Sequence, residues 1–230
     1  SGVGKTTLLK LAAGLVTPKN NQVFVFNKDL STLNTMEKNR LRKNIGLLFQ
    51  FGALFTDLSC FENVAFPLRE HSKMSESLLH TTVMLKLECV GLRGAAHLMP
   101  SEISGGMSRR IALARAIALG PKLILYDEPF SGLDPISLGV TAKLIKKLNN
   151  ALGSTTVLVT HDIIETFEIA DHVFILAPTS DGAKLIASGT PEEIINNQDS
   201  YVQQFINGNL NGPVEFHYPA VPRKKFFGIY

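Results

Sequence analysis

Leu123-Ile124-Leu125-Tyr126 has no polar face. A strand that is apolar on both sides belongs inside a sheet covered on both faces, and such sheets are parallel, with helices packed above and below. Asp127, Glu128 and Pro129 follow at once. Open α/β sheets bind ligands beyond the carboxyl ends of their strands. The two carboxylates are therefore expected at a binding site rather than on a solvated turn.

The rest of the chain supports that layout. Apolar or β-branched runs predict strands over Val23–Phe26, Ile45–Phe49, Thr155–Thr160, Val173–Leu176 and Lys184–Ala187. Helical patterns cover Lys5–Leu15, Glu76–Val90, Gly105–Leu119, Ser137–Leu152 and Ile163–Ala170. The alternation predicts an α/β sandwich with a mainly parallel sheet. It stops between Phe51 and Ile103, where helical patterns run without a convincing strand, so a helical subdomain is expected at about 51–103. Asn20-Asn21 and Asn27-Lys28 bracket the first strand. Asn tolerates positive φ, so both are expected in tight turns. A first domain is expected over 1–198. From Asp199 to the end at 230 the chain becomes rich in Asn, Gly and Pro, with Phe205, Phe216, Tyr218, Phe226 and Phe227, and an extended arm is expected.

Composition excludes several classes. Of 230 residues, 45% are hydrophobic and 19% charged, which rules out wholesale disorder. A net charge of +3 gives no reason to expect a nucleic-acid partner. The two cysteines, Cys60 and Cys89, exclude a disulfide scaffold and point to a reducing compartment. Every apolar run is interrupted short of bilayer-spanning length.

The chain opens Ser1-Gly2-Val3-Gly4-Lys5-Thr6-Thr7 and runs into an apolar helix. This is the latter part of the phosphate-loop pattern GxxxxGK[ST]. Its first glycine would precede Ser1, so a missing N-terminus is expected. Small residues let backbone N–H groups curl around a phosphate, and the helix N-terminus adds its positive end. Lys5 is expected on the β- and γ-phosphates and the Thr6 hydroxyl on Mg²⁺. Asp127 would hold Mg²⁺ through a water, and Glu128 would polarise the attacking water.

Four more segments stand in fixed order. Gln50 ends a strand; Ser104-Gly105-Gly106-Met107 opens the helix carrying Arg109, Arg110 and Arg115. Ser131-Gly132-Leu133-Asp134 follows the acidic pair, and His161 follows a strand. With the phosphate loop and acidic strand, this order resembles the ATP-binding-cassette (ABC) ATPases, over nearly the whole chain to about Asn197. The resemblance implies a phosphate-loop cassette hydrolysing ATP with Mg²⁺. Gln50 would touch the metal and the attacking water. His161 would contact the γ-phosphate. Ser104, Gly105 and Gly106 would be the signature, offering N–H groups to the γ-phosphate bound by a second copy of the chain. Asp134 would lie at the seam of that dimer. Met107 stands where Gln is usual, and Gly132 where Ala is common. The adenine-stacking aromatic is not in this chain.

A finer resemblance rests on three stretches: 49–58 with 61–70, 98–107, and 212–219. They are similar to the cassettes of the Mla/Mce-type phospholipid transporters of bacterial envelopes. That family implies a membrane permease, an MCE lipid-binding protein, a STAS-domain protein on the helical lobe, and phospholipid as cargo. It also implies residence at the cytoplasmic face of the bacterial inner membrane, and an arm crossing to the opposite cassette. Phe51, Phe55, Phe61 and Phe66 are expected to form an apolar cleft for a short permease helix, with about half of them in the core. Arg223-Lys224-Lys225-Phe226-Phe227 is expected to be a frayed end rather than a membrane anchor. A cassette for another cargo, and a nucleotide-binding module without transport, are the alternatives.

Overall fold

The structure is a computed structural model that describes residues 3–179 and 182–213. The chain divides into two compact units, Ser1–Ile169 and Ala170–Tyr230. Among the described residues no helix is long and apolar enough to cross a membrane.

The first unit opens with α1 (Lys5–Ala12), shorter than the expected Lys5–Leu15 because Gly14 turns the chain at φ 65. A hairpin follows, β1 (Phe24–Val25) and β2 (Lys28–Asp29). Its two-residue loop, Phe26 and Asn27, has φ 51 and 59, and Asn21 before it has φ 57. Two successive positive φ values match the twist of a tight hairpin. The next helix, α2 (Thr35–Arg42), does not show in hydrophobic periodicity because only Leu41 is buried. Its start is set locally, by a reciprocal capping box between Asn34 and Glu37.

The sheet consists of β3 (Ile45–Leu48), β4 (Leu123–Asp127) and β5 (Thr155–Val159), all parallel, with β4 in the middle. All five residues of β4 are buried. Leu123 and Leu125 enter a cluster with Leu9, Ala13 and Val159. Ile124 and Tyr126 enter the opposite and larger cluster with Val64, Ile111 and Ile145. Period-two alternation thus feeds two cores, and each fully buried aliphatic contributes about 1.5–3 kcal/mol.

Between β3 and β4 the chain forms α3 (Cys60–His71), α4 (Glu76–Cys89), two short 3₁₀ turns, and α5 (Gly105–Ala116). Ser59, Ser75 and Ser104 each start a helix by accepting a backbone N–H three residues on. Residues 51–103 contain no strand among the described residues. After β4, α6 (Pro135–Leu152) returns the chain to β5, and α7 (Ile163–Ile169) closes the unit.

In the second unit β6 (Val173–Thr179) and β7 (Gly182–Gly189) form an antiparallel hairpin with a bulge at Ile175/Leu176. It is longer than its apolar runs suggest. Two helices follow, α8 (Pro191–Ile195) and α9 (Ser200–Asn207). The structure corrects the expected start of an extended arm. Asp199 caps α9 by accepting the N–H groups of Tyr201 and Val202, and Gly208 ends it at φ 62. Composition hid the 3.6-residue spacing of Val202, Phe205 and Ile206. Residues 214–230, including the basic aromatic end, lie outside the described residues.

Helix α5 presses directly on the sheet. A Cβ at Gly46 would stand 2.5 Å from the carbonyl oxygen of Ala116, a backbone atom with little freedom to yield. Gly46→Ala is expected to destabilise the fold by about 1–3 kcal/mol. Urea unfolding of the two proteins measures it, and an unchanged midpoint would contradict the close approach.

Candidate nucleotide site

The turn that enters α1 creates an opening. Gly4 caps α1 at φ 84, a conformation only glycine takes without strain, and no atom lies within 4 Å of where its Cβ would be. No side chain caps α1. Its first N–H groups lack helical partners, which suits an anion. Val3, Gly4, Lys5, Thr6 and Thr7 all belong to this turn; Ser1 and Gly2 lie outside the described residues.

The loop's polar side chains reach the ends of β4 and β5. Thr6 Oγ1 donates to Asp127 Oδ1 at 3.0 Å. Lys5 Nζ is 3.0 Å from Glu128 Oε1 and donates to the Thr160 carbonyl at 3.2 Å. On the other side of the carboxylate, His161 Nδ1 is 2.9 Å from Glu128 Oε2 and the His161 backbone N–H donates to the same oxygen at 3.3 Å. A carboxylate only accepts, so Nδ1 carries the proton, and Nε2 has no hydrogen-bond partner among the described residues. Asp162 and Thr160 exchange hydrogen bonds at 3.0 Å, which fixes the turn bearing His161.

Glu128 itself has φ 48. Left-handed backbone costs a residue with a side chain about 1–2 kcal/mol. Such strain persists only where the surroundings impose it. Here the Glu128 N–H donates to the Val159 carbonyl at 2.8 Å, one step past the β4–β5 ladder. Burial pushes the Glu128 carboxyl up, but Lys5 and His161 outweigh it and leave it below the usual carboxylate range. The site thus holds an ionised carboxylate between an ammonium and an imidazole. Thr6 and Asp127 supply two hard oxygen donors on adjoining elements, a set that fits Mg²⁺.

Gln50 is not drawn into this cluster. Its side chain donates to Ser131 Oγ at 3.3 Å. Ser104, Gly105 and Gly106 sit at the tip of α5 and line a separate hollow of about 560 Å³ with Gly132 and Asp134. No heavy atom meets a Cβ built on Gly105 or Gly106, so the tip is open. None of the residues lining the hollow belongs to the Lys5–Glu128–His161 group. Asp134 caps α6, accepting the N–H groups of Ile136 and Ser137 at 3.0 Å. Hydrogen bonds from Ser137 and Ile136 hold its carboxyl low.

The four phenylalanines divide. Phe55 and Phe66 meet with their rings tilted by 54° and centres 4.9 Å apart and, with Phe49 and Pro67, line a groove of about 350 Å³. Phe61 packs against the core of the first unit, with His80 5.3 Å away. Phe51 is 86% exposed and lines the signature hollow instead of the groove. Two arginines of α5 were given no role by sequence reasoning, yet both bind the loop after β3. Arg109 donates to the Gln50 carbonyl at 2.8 Å, and Arg115 to those of Gly52 and Ala53 at 2.7 and 2.8 Å. Three arginines on a helix of buried aliphatics were the available signal.

Burial is the largest single influence on Glu128 and raises its pKa, and removing Lys5 takes away the strongest of the influences that oppose it. In Lys5→Met the Glu128 carboxyl is expected to titrate at higher pH than in the unaltered chain. A carboxyl NMR titration without nucleotide checks it; an unmoved resonance would contradict the ion pair.

Comparison with known proteins places this geometry. The family model described as ABC transporter matches residues 1–131. The intermembrane phospholipid transport system ATP-binding protein MlaF of Haemophilus influenzae is 54% identical over 96% of this chain and 82% of its own. MlaF of Escherichia coli K12 is 53% identical over 96% of this chain and 80% of its own. Among solved structures, the ATP-binding cassette MJ0796 was seen as a dimer in a post-hydrolysis state with ADP and Pi. It superimposes with a TM-score of 0.72 at 31% identity, covering 82% of this chain and 81% of that one. On this match and these identities, the chain belongs to the ABC transporter family, grouped with the MlaF ATP-binding proteins.

Proposed function

We propose that this chain is the ATP-hydrolysing subunit of a phospholipid transporter, acting as a pair of identical cassettes beneath a membrane permease. The observation that carries the reading is the convergence of Lys5, Glu128 and His161 beside an open phosphate loop. Relatives at 53–54% identity belong to an intermembrane phospholipid transport system, which supports the cargo.

The Lys5–Glu128 pair gives the site its order of events. A triphosphate entering the Gly4 turn competes for the Lys5 ammonium. Once Lys5 turns to the phosphates, Glu128 loses its strongest counter-charge and becomes a better base. Its carboxylate takes a proton from water while the water oxygen bonds to the γ-phosphorus. The bond to the β-phosphate oxygen breaks, leaving ADP and phosphate. His161 steadies Glu128 through Nδ1 and offers Nε2 to the γ-phosphate. Mg²⁺, held by Thr6 and Asp127, would neutralise charge on the phosphate oxygens, with Gln50 turning from Ser131 to join them.

The separation of the Ser104–Gly106 tip from the Lys5 cluster supports a sandwich of two chains. Each open tip would face the nucleotide of the other, with Asp134 and the exposed Phe51 at the seam. Closure then requires that ATP bind the closed pair better than the open one. The Phe55–Phe66 groove suits a short helix of a permease. An MCE lipid-binding protein and a STAS-domain protein complete the assembly on family resemblance, at the cytoplasmic face of the bacterial inner membrane.

Glu128→Gln is expected to keep ATP binding and slow steady-state hydrolysis by roughly 10²–10⁴-fold. Unchanged turnover would refute the base assignment. Isolated in mild detergent, the intact assembly is expected to carry a permease and bound phospholipid, detected by mass spectrometry. Recovery of a soluble solute-binding protein with no lipid would overturn the cargo.

A further inference from the structure

Helix α5 reaches the reacting end of the sheet through one side chain. Arg109 Nη1 donates to the carbonyls of Pro129 at 3.0 Å and Ser131 at 2.7 Å, and Nη2 to that of Gln50 at 2.8 Å. These carbonyls belong to two loops that leave the ends of neighbouring parallel strands, β3 and β4. The Gln50 loop also lies against α5. A Cβ on Gly52 would be 3.2 Å from Ala112 Cβ and 4.0 Å from Arg109 Cα.

Glu128 immediately precedes Pro129 and has strained backbone at φ 48. Upstream the strain is restrained by the bond to Val159. Downstream it is restrained by Arg109, whose fork grips carbonyls one and three residues on. We infer that Arg109 is a positioning residue for hydrolysis. It fixes the Glu128 turn and the Gln50 loop in one relative placement, and it hangs from the helix that begins at Ser104. Approach of a nucleotide to that helix tip would therefore be felt by both groups that handle the attacking water. The inference rests on the function proposed above. The geometry asks for a planar fork; a lysine offers one compact head and cannot span two loops in the same way.

The test uses the full-length chain in its transporter complex, with Arg109→Gln and Arg109→Lys, each alone and with Glu128→Gln. Misplacing a catalytic group by about 1 Å costs on the order of 10²-fold. Arg109→Gln is expected to lower kcat by about that factor while KM for ATP moves less than about threefold, the pattern of a lost transition-state effect. Arg109→Lys should lose more than about tenfold, with the melting midpoint of both variants near that of the unaltered complex. In the Glu128→Gln background the Arg109 change should cost under about threefold more, because a base already removed cannot be misplaced. A kcat within about twofold of normal, an undiminished cost in that background, or loss of the folded complex in both variants would overturn the inference. A silent Arg109→Gln beside a dead Glu128→Gln sinks this inference alone. Normal turnover in Glu128→Gln alone sinks the site assignment, and this inference with it.

Discussion

Burial of β4 on both faces is the constraint from which the site follows. A strand whose five side chains are all inside must run through the middle of the sheet. Its first carboxylate, Asp127, is buried at the strand's last position with a hydrogen bond from Thr6, and the second follows where the strand ends. Asp127 is the last strand residue and Glu128 the first beyond it, so the charge falls at the rim. Neighbouring strands β3 and β5 are parallel to β4 and end alongside, which brings Gln50 and the Thr160–His161 turn to the same rim. The phosphate loop then needs only Lys5 and Thr6 to reach across.

That arrangement gives each charged group of the cluster a partner within the chain. The ammonium that would bind phosphate is neutralised by the carboxylate that would take a proton, and each waits on the other. An ion pair whose members are partly exposed exchanges partners at modest cost, since its net worth is small. On the proposed function, substrate binding and base activation would be the same event. The hollow at the tip of α5 shares no lining residue with this cluster, and Arg109 is a side chain that reaches from the hollow to the Glu128 and Gln50 loops.

Much of this was legible from residues alone. Strand β4, the phosphate turn, the signature helix and the order of the motifs follow from apolar runs, glycines and spacing. The helix α2 was not, because it buries one leucine and depends on a capping box. Nor was α9, whose start is an Asp cap inside a stretch dominated by turn-forming residues. The aromatic segment shows the limit most clearly. Sequence placed Phe51 with Phe55 and Phe66, but positive φ at Gly52 and Ala53 sends Phe51 to another surface. The roles of Arg109 and Arg115 were hidden because their partners are backbone carbonyls, which every residue carries.

The left-handed backbone at Glu128 has a cost that selection must keep accepting. Glycine would occupy that conformation comfortably, and asparagine nearly so. Either would make the fold more relaxed while deleting the carboxylate. If Glu128 is the base proposed above, breeding this protein for heat resistance alone would drift toward an inert cassette at this one position, and durability and turnover have to be screened together.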